Sequence, residues 1–264
     1  MGYRKSSQEN IKMSTCIIGD LHGIKKDLRY LLTILPFGPA NVICAGDVGL
    51  EYGNPHMVRR FRKNTKYLKQ HMKDSNYNWF IMRGNHDNRY FRDHYNSELY
   101  VVDEEQFGAP VLYEKEYPNI YYIKDEGGIY RIDNKEFLFI PGAYSVDKDY
   151  RLENGLSWNP SEQLTVKEQN DLLDLLEKHN NKVDYIVSHT YPLNIQNRIQ
   201  DLFLEFIDQS RVDRSMEKFL AYIAEIVDFK HWFFGHLHDD REIMNKYTML
   251  FNKVANLKEY EGEK

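Results

Sequence analysis

Residues 14–23 read STCIIGDLHG. Thr15 to Ile18 is a short apolar run of the kind that fills a strand buried on both faces; Gly19 ends it, and Asp20 and His22 follow at once. A helical pattern from Lys25 to Leu35 comes next, and then the arrangement returns, because NVICAGDVG at 41–49 is another apolar run closed by Gly46 and Asp47. After a helical pattern over Val58 to Lys73, WFIMRGNHD at 79–87 repeats it. Strand, polar turn and helix in this order predict a layered α/β protein.

Farther along, the pattern changes. From Asn119 to Ile140, Gly127-Gly128 and Asn134-Lys135 break the apolar runs into hairpin-like strands, so mixed sheets are expected. Thr165 and Glu168 form a capping box for a helix carrying Leu172, Leu173 and Leu176, and VDYIVSHT at 183–190 reads as a buried strand. Met216, Phe219, Leu220, Ile223, Ile226 and Val227 trace one helical face that leads into HWFFGHLH at 231–238. YTMLFNKV at 247–254 reads as a last strand, after which EYEGEK should fray. No repeat or linker interrupts the chain, and residues 1–264 read as a single domain.

Composition narrows the function classes. The formal charge is −5, with Lys+Arg 35 against Asp+Glu 40, which argues against extended nucleic-acid binding and leaves room only for a local basic groove. MGYRKSSQENIK at the N-terminus has no apolar core of a signal peptide, and no apolar run reaches membrane length, so a cytoplasmic protein without membrane contact is expected. Cys16 and Cys44, both in strand-like runs, read as buried reduced thiols.

The residues that follow the strands carry the chemistry. In an open α/β sheet the carboxyl ends of the strands share one edge, so loops distant in sequence converge there. Those loops bring Asp20 and His22, Asp47, Asn85, His189, and His236 with His238, and His86 stands beside them. Taken singly, each has an ordinary structural reading: an Asp-x-His turn capping a helix, an Asx turn at Asn85, a satisfied core histidine at 189. Taken together they mix hard oxygen with imidazole nitrogen, which suits Mn, Fe, Zn or Ni rather than calcium. Seven side chains exceed one tetrahedral site. Two metals sharing a bridging carboxylate account for the number, and such pairs serve in-line displacement at phosphorus.

The series GDLHG, GDVG, GNHD, SHT and GHLH, running from Gly19 to His238, resembles the motif set of the calcineurin-like metallophosphoesterases. The resemblance implies a four-layer αββα sandwich of two mixed β-sheets. It implies two divalent ions, manganese first, with Asp20, His22 and His238 on one, Asn85, His189 and His236 on the other, and Asp47 bridging. A water or hydroxide between the ions would attack phosphorus. His86 matches the family histidine that protonates the leaving oxygen or stabilises the transition state, Asp87 would orient a neighbour, and Arg83 stands where some members carry a phosphate-clamping arginine. The serine/threonine phosphatases of this family continue the second motif as Gly-Asp-x-x-Asp-Arg. Here Val48, Gly49, Leu50 and Glu51 follow Asp47, so the orienting aspartate and a second arginine are missing, and a small-molecule or nucleotide phosphoester is favoured over a phosphoprotein.

Specificity should lie outside those motifs. Residues 142–160 form a candidate specificity loop in which Tyr144, Ser145, Asp147, Lys148 and Arg151 are candidate substrate contacts, with Trp158 as a further stacking surface. A solvated loop closed by its own salt bridges is the bland alternative. Residues 191–214, with Leu202, Phe203, Phe206 and Ile207, read as a helical lid, or equally as core or an oligomer interface. The leading function is a dinuclear metal-dependent phosphoesterase acting on a monoester or diester. A metal-dependent nuclease and a non-catalytic scaffold of the same fold are the alternatives, the latter disfavoured because all seven ligand positions and His86 are present.

Overall fold

The computed structural model describes residues 14–38, 40–50, 58–155, 158–203 and 207–262. The N-terminal stretch at 1–12, Glu51, Phe206 and part of the 142–160 loop lie outside the described residues.

Among the described residues, thirteen strands form two mixed sheets. Along the chain they are β1 Ser14–Ile18, β2 Ala40–Cys44, β3 Tyr77–Ile81, β4 Tyr100–Asp103, β5 Val111–Glu114, β6 Ile120–Ile123, β7 Gly128–Ile132, β8 Lys135–Ile140, β9 Tyr185–Ser188, β10 His231–Phe234, β11 Arg241–Ile243, β12 Tyr247–Met249 and β13 Val254–Asn256. The first sheet runs β13-β1-β2-β3-β6-β5-β4 and the second β11-β12-β10-β9-β8-β7. Both have parallel centres: β1, β2, β3 and β6 run together in the first, and β8, β9, β10 and β12 in the second. Helices α1 Lys25–Ile34, α2 Val58–Lys73, α3 Tyr90–His94, α4 Lys148–Glu153, α5 Val166–Lys178 and α6 Ser215–Ile226 complete the order.

Side-chain alternation explains the layers. Successive residues of a strand point to opposite faces, so a run that is apolar throughout must be covered twice. Cys16, Val42 and Trp79 face outward onto Leu28 and Leu31 of α1 and Leu68 and Met72 of α2. Their neighbours Ile17, Ile43 and Phe80 face inward and meet Phe137, Phe139, Tyr185, Val187 and Phe233 of the second sheet. That sheet turns Leu138, Ile186 and Trp232 outward onto Leu172 and Leu176 of α5 and Met216 and Leu220 of α6. The result is the expected αββα sandwich. The Thr165 capping box is present, with the Glu168 N–H on the Thr165 side chain and the Glu168 carboxylate on the Thr165 N–H. Cys16 and Cys44 are buried free thiols, and burial raises Cys16 to about 11.

Several local expectations are corrected. Gly127-Gly128 does not close a hairpin, because β6 belongs to the first sheet and β7 to the second, so the chain crosses between sheets there. The hairpin joining β7 to β8 turns on Asp133 and Asn134, both left-handed at φ 50° and 59°, the conformation a two-residue turn needs to match strand twist. The run YTMLFNKV is two strands in different sheets. The Asp240 carboxylate accepts the N–H groups of Phe251, Asn252 and Lys253 and bends the chain between them. Beyond it Leu257–Tyr260 forms a 3-10 turn, which orders Glu259 and Tyr260 of the tail expected to fray and sets the Tyr260 ring centre 4.5 Å from that of His231, while residues 263–264 lie outside the described residues. The described part of residues 191–214 holds three 3-10 turns, at Leu193–Arg198, Gln200–Leu202 and Gln209–Arg211, and buries Tyr191, Ile195 and Ile199 in the outer core over the second sheet, in keeping with the core alternative. Among the described residues no helix is long and apolar enough to cross a membrane.

Glu217 of α6 gives a pH-dependent stability. It is 2% exposed, its nearest cation is Arg214 at 3.5 Å, and burial raises its carboxyl to about 7. A carboxyl raised in the folded state favours folding below its unfolded value, and that contribution is lost as pH rises through the folded one. Over this window the loss is on the order of 3 kcal/mol at most. Glu217→Gln should therefore flatten the decline in urea stability between pH 5 and pH 8; equal slopes in the two proteins would refute it.

Candidate metal centre

The parallel strands of both sheets deliver their carboxyl ends to one edge. Asp20 and His22 follow β1, Asp47 follows β2, Asn85 follows β3, His189 follows β9, and His236 and His238 follow β10. Backbone bonds stitch the first two loops together, since the N–H groups of Leu21 and His22 both donate to the Asp47 carbonyl, at 3.1 and 2.8 Å. One oxygen of each aspartate is then fixed by the backbone: Asp20 Oδ1 accepts the His236 N–H at 3.1 Å, and Asp47 Oδ1 accepts the His86 N–H at 3.0 Å.

The other oxygens meet imidazoles. Asp20 Oδ2 lies 3.4 Å from His22 Nε2 and 3.3 Å from His238 Nε2, and Asp47 Oδ2 lies 3.4 Å from His189 Nε2. Two glycines make this approach feasible. A Cβ on Gly235 would sit 2.2 Å from Asp20 Oδ1, and one on Gly84 2.2 Å from Asp47 Oδ1. Backbone strain concentrates here as well: His22, Asp47, His236 and His238 have φ of 48°, 47°, 71° and 53°. Left-handed backbone costs a non-glycine residue roughly 1 kcal/mol or more, and is kept where the surroundings over-determine it.

The donor set fits cations better than it fits itself. Asp20, His22 and His238 offer ligand atoms within 4.8 Å of one another, and so do Asp20, Asp47 and His189. Asn85 joins the second group, with Oδ1 2.9 Å from His189 Nε2. His189 Nδ1 is 2.8 Å from the Ala45 carbonyl, to which it donates, so in the neutral ring Nε2 is a lone pair facing an amide oxygen. His22 Nε2 and His238 Nε2 also face each other at 2.7 Å, and Asp20 Oδ2 is buried without a hydrogen-bond partner. Clustered acceptors of this kind call for a proton or a metal between them. His236 lies against His189, ring centres 5.0 Å apart, and His238 stacks on Phe251 at 4.7 Å.

Charge follows the same logic. Burial lowers the His189 pKa, but Asp47 and Asp20 outweigh it and hold the ring at about 9. Burial, with His189 adding to it, drives His236 down to about 3, leaving a neutral ligand. Burial pushes Asp20 and Asp47 up, yet the imidazoles, His189 foremost, bring both below the ordinary carboxylate range. Two anionic carboxylates beside neutral imidazole suit divalent transition ions, and His189 must give up its proton to bind one.

The remaining predicted residues divide. His86 stands at the rim, its Nε2 3.9 Å from Asp47 Oδ2 and 3.3 Å from Arg151 Nη2. Burial, then Arg151, keeps its pKa below the usual histidine value, against the pull of Asp47. Arg151 also bonds Asp147 through Nε at 2.8 Å, and Lys148 Nζ lies 4.1 Å from the Trp158 ring centre and 5.8 Å from that of Tyr144. Ser145 is buried and accepts from Asn85 Nδ2 at 2.9 Å. Asp87 faces inward, Oδ2 accepting the Gly84 N–H at 3.0 Å, and so shapes the turn that carries Asn85. Arg83 is 1% exposed and donates to the carbonyls of Asp125 and Glu162 at 3.1 and 2.8 Å, a brace between loops; its reading as a phosphate clamp gains no support from this placement. Sequence reasoning missed Glu162, Phe251 and the Ala45 carbonyl. No motif marks any of them, and only the fold brings them to the centre.

The family model described as calcineurin-like phosphoesterase matches residues 13–240. The comparison with curated proteins finds no match. Among solved structures, one with 14% identity covers 94% of this chain and 96% of its own at a TM-score of 0.49. Another, titled as the crystal structure of TT1561 of Thermus thermophilus, has 10% identity, covers 92% of this chain and 97% of its own, and has a TM-score of 0.46.

Proposed function

This chain belongs to the calcineurin-like phosphoesterase family, and from that premise we propose that it is a dinuclear metal-dependent hydrolase of a small-molecule or nucleotide phosphoester. The observation that supports this most is the pair of acceptor clusters, Asp20 with His22 and His238 and Asp20 with Asp47 and His189, with Asn85 Oδ1 opposite His189 Nε2. Asp20, His22 and His238 would hold one ion, Asn85, His189 and His236 the other, and Asp47 both. Two divalent ions, manganese being the first choice, would supply a nucleophilic water of lowered pKa and polarise the phosphoryl oxygens. His86 would serve the leaving oxygen. Arg151, already within 3.3 Å of His86, and Lys148 would receive the phosphate, while Tyr144 and Trp158 offer ring faces that Lys148 now covers. With Arg83 turned away into its brace, this rim favours a small ester over a phosphoprotein.

The test is hydrolysis of p-nitrophenyl phosphate and bis-p-nitrophenyl phosphate by protein stripped with chelator and reloaded with Mn²⁺, Ni²⁺, Zn²⁺ or Fe²⁺. Metal-dependent, chelator-sensitive turnover is expected, and the preferred ester separates monoesterase from diesterase. Two bound ions with no turnover of either ester, or of a panel of nucleotide esters, would overturn the reading in favour of a binding scaffold.

A further inference from the structure

Asn85 must present oxygen, not nitrogen, to a cation. A carboxamide can sit either way round with little change in shape, so something has to choose. The choice is made outside the proposed ligand set, by Ser145 and Glu162. Asn85 Nδ2 donates to Ser145 Oγ at 2.9 Å, and Ser145 Oγ donates its one hydrogen to Glu162 Oε2 at 2.5 Å. Glu162 Oε1 accepts the Ser145 N–H at 3.0 Å, so both carboxylate oxygens are committed to Ser145. With its hydrogen spent on Glu162, the hydroxyl offers only lone pairs, and only the NH2 end of Asn85 can approach it. Oδ1 is thereby turned to His189 Nε2, 2.9 Å away.

We propose that Glu162 and Ser145 are positioning residues that lock the Asn85 amide in its metal-binding orientation; this rests on the dinuclear reading above. All three side chains are buried, at 2%, 2% and 3% exposure, so water does not compete for the bonds. Arg83 secures the far end, because its guanidinium holds the Glu162 backbone carbonyl at 2.8 Å. That accounts for a buried arginine directed away from the acceptor clusters. It also ties the segment carrying Tyr144, Lys148 and Arg151 to the ion on Asn85 and His189, so that ion occupancy and the order of this rim support each other.

Outer partners of metal ligands typically contribute about 10- to 100-fold in affinity. The experiment is a Mn²⁺ titration of the chelator-stripped full chain, followed by the electron paramagnetic resonance of free Mn²⁺, for wild type, Asn85→Ala, Ser145→Ala, Ser145→Thr and Glu162→Gln. Asn85→Ala marks the binding event to which Asn85 contributes. Ser145→Ala and Glu162→Gln should weaken that same event about 10- to 100-fold and leave the other unchanged, while Ser145→Thr, which keeps the hydroxyl, should return to within a few-fold of wild type. Unchanged binding in a folded Ser145→Ala protein, or equal weakening of both events, would overturn the relay. Should Glu162→Gln fail to fold, Ser145→Ala, which deletes one oxygen, decides alone. A wild type that binds a single ion overturns the dinuclear reading; the relay then stands if Asn85→Ala and Ser145→Ala both weaken that ion, and falls if either does not.

Discussion

Asp47→Ala is expected to remove chelator-sensitive phosphoester turnover while leaving the fold standing. The carboxylate is 1% exposed, with Oδ1 on the His86 N–H at 3.0 Å and Oδ2 3.4 Å from His189 Nε2. As the group that would be shared by both ions of the proposed centre it would govern how many are held, and its loss should lower turnover by a factor on the order of 10³ or more. The backbone role survives the substitution, because the bonds from Leu21 and His22 go to the Asp47 carbonyl, not to its side chain. Alanine at φ 47° adds strain of about 1 kcal/mol, which a folded domain of this size tolerates. Asp47→Asn, which keeps shape and loses charge, separates the two effects. Turnover in Mn²⁺ and bound metal per chain by mass spectrometry provide the check, and a folded Asp47→Ala protein with wild-type turnover would sink the dinuclear centre.

What the sequence discloses about such a centre, and what it hides, follows from which interactions are local. Asp20, Asp47, Asn85, His189 and His236 can be grouped from the sequence, because parallel strands must end at a common edge and each of these residues stands just past an apolar run. The layer order is legible for a similar reason, since β1, β2 and β3 are apolar on both faces. Sheet membership is not. Alternation is the same whichever sheet a strand joins, so β6 and β7 read as a hairpin although they lie in different sheets. The split of β12 from β13 depends on one carboxylate, Asp240, bonding N–H groups 11 to 13 residues away. Arg83 shows the limit most clearly. Its place beside Asn85 suggests a phosphate contact, but its direction is set by carbonyls 42 and 79 residues downstream. Glu162 stands in none of the chemical motifs, and a buried carboxylate on a loop leaves no periodic trace.

His86→Ala should keep the metal content of the wild type and lose rate in a way that reports what the imidazole does. Its side chain contributes no atom to the two acceptor clusters, and its Nε2 stands 3.9 Å from Asp47 Oδ2, at the rim where a leaving oxygen would emerge. General acid catalysis contributes about 10²- to 10⁴-fold, but only where the leaving group needs a proton. p-Nitrophenolate departs readily without one, whereas the alkoxide of an alkyl phosphate does not. If His86 donates the proton, Ala at this position should cost an alkyl ester about 10²-fold or more and p-nitrophenyl phosphate much less, so the dependence of rate on leaving-group pKa steepens. If it instead steadies the phosphoryl oxygens together with Arg151, 3.3 Å away, the loss should be the same for every ester. Arg151→Ala resolves the pair: removing the cation relaxes one of the influences that hold His86 below the ordinary histidine pKa, so the pH profile of wild-type turnover should shift upward in that variant, and the shift should vanish when His86 is also replaced. Loss of metal from His86→Ala, or undiminished hydrolysis of the alkyl ester, would remove this residue from the reaction altogether.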